Sequence, residues 1–156
     1  LRARQARSPI AAFTSGSFAE VLDDPAADAD GFDRSRVDRV VLCTGKVAFD
    51  ALARRDELGD AGAHVAIVRV EQLYPWPKDT LTEVLAGYPQ AEEVVWLQEE
   101  PENMGAWNFV HSRLHRLLRK SHLLRHVSRA ESASPASGSA ALHRLELEDL
   151  LVRSVG

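Results

Sequence analysis

The chain has 156 residues, of which 45% are hydrophobic and 27% charged, and its formal net charge is −4. That length and balance suit one globular domain with a real core and exclude an overall basic nucleic-acid binder. No apolar stretch approaches the ~20 residues of a membrane span. Cys43 is the only cysteine, which excludes an intrachain disulfide or a cysteine-rich zinc site and accords with a cytoplasmic location.

Residues 1–17 read as an irregular segment, the end of a preceding linker, with a break at Ser8-Pro9. The early arginines lack the apolar run of a signal peptide. The sequence starts at Leu1 rather than Met, so the expectation is a fragment or a processed product. The globular domain is expected over 18–156. Phe18–Leu22 alternates apolar with small or polar residues and predicts a short strand. Asp23–Gly31 is acidic and contains Pro25, which predicts a solvated surface loop. A calcium loop is excluded there, because no glutamate closes the pattern at the required distance.

From Val37 onward strands and helices alternate. Val37–Cys43 is a continuous apolar run and predicts a buried strand. Thr44-Gly45-Lys46 then turns into a helix with Val47, Ala48, Ala51, Leu52 and Leu58 at helical spacing, ended by Gly59 and Gly62. Val65–Val70 is the next strand, and Lys78–Tyr88 a helix with Pro77 at its start. Val94–Leu97 is a buried strand, followed by a helix over Gly105–Lys120 with Trp107, Val110, Leu114, Leu117 and Leu118 inward. Leu123–Val127 predicts the last strand, and Ser139–Val155 the last helix, with Leu142, Leu145, Leu150 and Leu151 inward. Strands separated by helices imply a largely parallel sheet covered on both faces. Phe18–Leu22, with no helix before it, is the candidate for an edge or antiparallel position.

Several stretches carry candidate chemistry. A phosphate loop at Thr44-Gly45-Lys46 would need glycine at position 40 and serine or threonine at 47, where the chain has Val40 and Val47. Glu99 and Glu100 fall where a parallel strand ends, the usual place for functional groups, yet neighbours on a strand point to opposite faces. They suit either an interface or a polar contact with another domain or ligand. Glu102 and Asn103 are placed to cap the following helix. Tyr74-Pro75-Trp76-Pro77 holds two aromatics on a stiff loop, fitted either to a subunit contact or to a satellite core. His111 and His115, four apart, lack the third ligand and the glutamate of a zinc protease. The basic face with Arg113, Arg116, Arg119 and Lys120 meets solvent, an acidic partner or an anion, and lacks an aromatic platform for nucleic acid. Residues 129–138 read as a flexible linker.

Four stretches together resemble one family. They are Cys43–Lys46, Val65–Pro77, the run Gln98-Glu99-Glu100-Pro101 with Asn103-Met104-Gly105-Ala106-Trp107, and Ser132-Ala133-Ser134-Pro135-Ala136. They look like the C-terminal domain of the thiamine-dependent 2-oxoglutarate dehydrogenase, the decarboxylating component of its complex. The family's usual valine or threonine before the glycine is replaced here by Ser137. The resemblance implies an α/β domain of the transketolase C-terminal type: three layers, a mostly parallel five-stranded sheet with one antiparallel strand, and helices on both faces. It implies a homodimeric parent that binds thiamine diphosphate and magnesium through preceding domains and passes a succinyl unit to a lipoyl-bearing acyltransferase component. No catalytic, cofactor or metal residue is carried onto this chain, which also lacks the family's glycine–aspartate–glycine thiamine motif. Tyr74, Trp76, Glu99, Glu100, Asn103 and Trp107 are the candidate contacts with other domains or the second subunit. Some actinobacterial relatives carry an acyltransferase domain and respond to acetyl-CoA, which extends the expected partners to an acyl-CoA effector on the basic residues. The alternatives are a related thiamine enzyme, such as transketolase or pyruvate dehydrogenase, and a stand-alone anion- or nucleotide-binding module.

Overall fold

The computed structural model describes residues 6–8, 10–29, 32–118 and 121–156. The strands are β1 (Val21–Leu22), β2 (Arg39–Cys43), β3 (Val65–Val70), β4 (Glu93–Pro101) and β5 (Leu123–Arg129). The helices are α1 (Ala11–Thr14), α2 (Val47–Leu58), α3 (Lys78–Ala86), α4 (Trp107–Leu118) and α5 (Ala140–Ser154). The strands form one sheet in the order β1-β3-β2-β4-β5. All neighbours are parallel except β1, which runs antiparallel to β3. This is the architecture the resemblance implies.

Side-chain alternation divides the core into two. Val40 and Leu42 of β2, Val68 of β3 and Trp96 of β4 face one layer, where α3 supplies Leu81 and α4 supplies Val110 and Leu114. Val41 and Cys43, Ile67, and Val95 and Leu97 face the other, against Ala48 and Ala51 of α2 and Leu150, Leu151 and Val155 at the end of the chain. Strands buried on both faces must be continuously apolar, which is why these runs were visible in the sequence. Three adjacent strands are also tied by charge. Glu93 on β4 accepts hydrogen bonds from Arg39 on β2 and from Arg125 on β5, the latter at 2.7 Å.

The structure departs from the sequence reading in several places, beginning with helix α1 inside the segment read as irregular. The first strand is only Val21–Leu22, and Phe18 is exposed. The acidic connector is not solvated at its start, although Pro25, Asp28 and Ala29 are exposed. Asp24 is buried, its carboxylate accepting from Arg55, from the Ile67 N–H at 2.7 Å and from the Ala26 N–H at 2.8 Å. Asp23 accepts from the Tyr88 hydroxyl at 2.5 Å and from Arg34 at 2.7 Å. Burial, then this bond to Asp23, pushes the Tyr88 phenol up. The tail of the connector, Asp30 and Gly31, lies outside the described residues. β4 does not stop at Leu97 but continues to Pro101. Helix α4 runs over Trp107–Leu118, starting two residues after Gly105, while Arg119 and Lys120 lie outside the described residues. Finally, Leu142 and Leu145 face outward, Leu145 at 70% exposure, because α5 touches the sheet only through its second half.

Candidate functional site

The parallel strands deliver their carboxyl ends to one edge of the sheet, where side chains from several elements converge. The extension of β4 builds this edge. Pairing with β5 is regular from Glu93 to Leu97, then shifts before Pro101 resumes opposite Arg129. The irregularity breaks strict alternation. Glu99 and Glu100 therefore line the same cleft, against the expectation that adjacent residues point apart. The cleft measures about 390 Å³ and is closed on its far side by Arg129, residues 135–140 and His143.

Gln98 organises the turn. Its side chain is 1% exposed and makes four good hydrogen bonds. Its Oε1 accepts from the Trp96 indole at 3.1 Å and from the Trp107 N–H at 2.9 Å. Its Nε2 donates to the carbonyls of Pro101 at 3.1 Å and Met104 at 2.9 Å. A single buried amide thus satisfies a buried indole, closes the 101–104 turn and caps α4. Gly105 completes the arrangement. Its φ is +67°, and a Cβ there would stand 2.9 Å from the Gln98 Nε2.

This assigns Glu102 and Asn103 new partners, since the cap expected of them comes from Gln98. Asn103 instead makes a reciprocal pair with Ser132, donating to its carbonyl at 3.0 Å and accepting from its N–H at 3.1 Å. Glu102 reaches His126 at 3.5 Å. The 130–139 connection is held at a second point by Arg129. Its guanidinium donates to the Glu99 carbonyl at 2.7 Å, the Pro135 carbonyl at 2.5 Å, Ser137 at 3.2 Å and Glu146 at 3.3 Å. What reads as a linker in the sequence is pinned at both ends.

The aromatic candidates differ in setting. Trp107 is half-buried, stacked on His126 with ring centres 4.3 Å apart and tilted against His111 at 4.8 Å. Tyr74 is 80% exposed, whereas Trp76, two residues on, packs against the first core. The structure thus brings Glu99, Glu100, Asn103 and Trp107 to one turn, with Tyr74 and Trp76 on the separate loop after β3. Gln98 and Arg129 escaped the sequence reading as site residues. The signal for Gln98 was present: it lies two positions from Trp96 and therefore on the same strand face. Arg129 had no such signal, because its partners are spread over three segments.

The family model described as "2-oxoglutarate dehydrogenase C-terminal" matches residues 7–155. The chain belongs to the 2-oxoglutarate dehydrogenase C-terminal family. The "2-oxoglutarate dehydrogenase E1 component" of Shouchella clausii (strain KSM-K16) is 37% identical over 155 residues, which is 99% of this chain and 16% of the relative. That of Coxiella burnetii is 44% identical over 120 residues, 77% of this chain and 13% of the relative. The "Multifunctional 2-oxoglutarate metabolism enzyme" of Mycobacterium sp. (strain KMS) is 40% identical over 154 residues, 97% of this chain and 12% of the relative. The chain therefore spans less than a fifth of the length of these relatives.

The resemblance assigns thiamine diphosphate and magnesium to preceding domains. Among the described residues no group of three histidine, cysteine, aspartate or glutamate side chains converges to hold a metal. The sheet-end cleft sets the carboxylates of Glu99 and Glu100 beside Arg129 and His143, a lining of mixed charge. Cys43 is no nucleophile either, since burial pushes its thiol up to about 12. No helix is long and apolar enough to cross a membrane among the described residues.

Proposed function

We propose that this chain is the C-terminal domain of a thiamine-diphosphate-dependent 2-oxoglutarate dehydrogenase E1 polypeptide, and that it organises the enzyme rather than catalysing. The observation that carries this reading is the family match, which extends over the whole sheet and every helix of the domain. In this reading the parent is a cytoplasmic homodimer of the tricarboxylic acid cycle. Thiamine diphosphate with magnesium, held by preceding domains, supplies the decarboxylating chemistry. The succinyl unit passes to a lipoyl-bearing acyltransferase component.

This chain contributes surface. Tyr74, Trp76, Glu99, Glu100, Asn103 and Trp107 contact the preceding domains or the second subunit. The exposure of Tyr74 and the stiffness that Gln98 gives the 101–107 turn support this assignment. A turn fixed before docking loses little entropy on binding. An acyl-CoA effector held by basic residues of the chain is part of the reading for a parent of the multifunctional kind.

The full-length polypeptide should release carbon dioxide from 2-oxoglutarate in a thiamine-diphosphate-dependent manner. The isolated 156-residue chain should show neither turnover nor calorimetric heat with thiamine diphosphate and magnesium. Cofactor binding by the isolated chain, or a full-length polypeptide that prefers pyruvate, overturns the proposal.

A further inference from the structure

Two features of the sequence stand apart from the sheet-end surface until the fold joins them: the Tyr74–Pro77 loop and the basic face of α4. The start of α3 lies beside the second half of α4, and a groove of about 590 Å³ runs between them. Trp76 and Leu117, both half-buried against the first core, line it together with Lys78, Arg113 and Arg116. The basic face therefore does have an aromatic platform, contrary to the reading from sequence, and it comes from a different element.

Three cations share this groove, and among the described residues none of them forms an ion pair. Arg113 is set in place: it donates to the Phe109 carbonyl at 2.6 Å, and its guanidinium lies 3.7 Å from the centre of the Phe109 ring. An arginine fixed through one edge keeps its other N–H groups aimed outward at little entropic cost. This local concentration of positive charge belongs to a chain with a net charge of −4.

We propose that the groove is a docking site for an acidic peptide segment of a partner protein. Spaced carboxylates would engage Lys78, Arg113 and Arg116, and one apolar side chain would lie on Trp76 and Leu117. Charge complementarity selects the sign of the occupant. The open form selects an extended chain, because small ligands are held in pockets that cover most of their surface. Asp79 on the lining points the same way, since it opposes a dense polyphosphate more than it opposes carboxylates spaced along a backbone. The inference shares Trp76 with the contacts proposed above and otherwise draws on Lys78, Arg113, Arg116 and Leu117, which lie outside them.

The test is panning of the folded 156-residue chain with a random dodecapeptide display library, followed by calorimetry on the selected peptides. Glutamate and aspartate should be enriched around an apolar residue. Binding should weaken with salt and should change the fluorescence of Trp76, a signal lost in Trp76→Phe. The exposed-site double reversal Lys78→Glu with Arg116→Glu, checked for an unchanged thermal melt, should weaken binding about tenfold or more. Phe109→Leu tests the fixing of Arg113 separately and should weaken binding less than the reversal does. Absence of acidic enrichment overturns the proposal, as does equal capture by the double variant. Tighter binding of inorganic pyrophosphate than of any selected peptide also overturns it, reassigning the groove to a small anion.

Discussion

Replacing Gln98 by methionine keeps the volume of the side chain and removes its hydrogen bonding, so the variant isolates what the amide does. The change orphans the Trp96 indole N–H, which is fully buried, and the Trp107 N–H, along with the carbonyls of Pro101 and Met104. Each buried donor left unpaired costs about 1–3 kcal/mol. The Trp107 N–H lies beside an exposed turn and can recover a water, so a total near 3 kcal/mol is expected. In a domain of this size that corresponds to a fall in Tm of about 6–12 °C. Urea unfolding followed by far-UV circular dichroism gives the free energy, and a thermal melt gives the shift. Gln98→Glu sharpens the test. Its carboxylate would face the same two carbonyls, so folding favours the neutral acid and raises its pKa above the ordinary value of ~4.3. The penalty in that variant should be smallest in acid and grow as pH rises through the shifted value. A Gln98→Met protein within about 0.5 kcal/mol of the parent would refute the central role given to this residue.

Gly105→Ala forces an L-residue to φ +67° and crowds the Gln98 amide, so a loss of about 2 kcal/mol or more is expected in the same urea assay. Burial raises the pKa of Glu93, but hydrogen bonds and charge from Arg125 and Arg39 outweigh it and hold the carboxyl below its usual range. Its contribution is therefore present above the unfolded pKa and lost as pH falls through the folded one, and Glu93→Gln should flatten the acid limb of the stability curve. Cys43 should react with a thiol reagent only at the rate at which the domain opens, so labelling should accelerate with urea in step with unfolding. Arg129→Met should free the 130–139 connection, and limited proteolysis should cut it markedly faster than in the parent.

The central strands and the four covering helices were legible because each strand is buried on both faces and each helix carries its own period. Strand–helix alternation pointed to a parallel sheet, and β1, which stands outside that alternation, takes the antiparallel edge. What failed to show had nonlocal causes. Asp24 looks like any loop acid until β3 and Arg55 of α2 arrive beside it. The outward turn of Leu142 and Leu145 depends on where α5 leaves the sheet, which no periodicity encodes. At the site, the aromatic and acidic candidates were visible as residue types, but their grouping was not. The shift between Leu97 and Pro101 sets Glu99 and Glu100 on one cleft, and it arises from pairing with β5 rather than from any local motif.

The charge triad around Glu93 has a consequence for how the strands find one another. Valine doublets, Val40-Val41 in β2 and Val94-Val95 in β4, look alike from both faces of the sheet. A slip of one position would trade valine for valine and alter the burial of those residues little. Glu93 removes that ambiguity. It stands directly opposite Arg39, 54 residues away in sequence, with Arg125 reaching it from β5. A misaligned strand would turn the carboxylate to the opposite layer, away from both arginines and toward an apolar helix face. The triad thus penalises frames that hydrophobic burial alone tolerates, and Glu93→Gln should reveal this as slow, heterogeneous refolding in excess of its loss of stability.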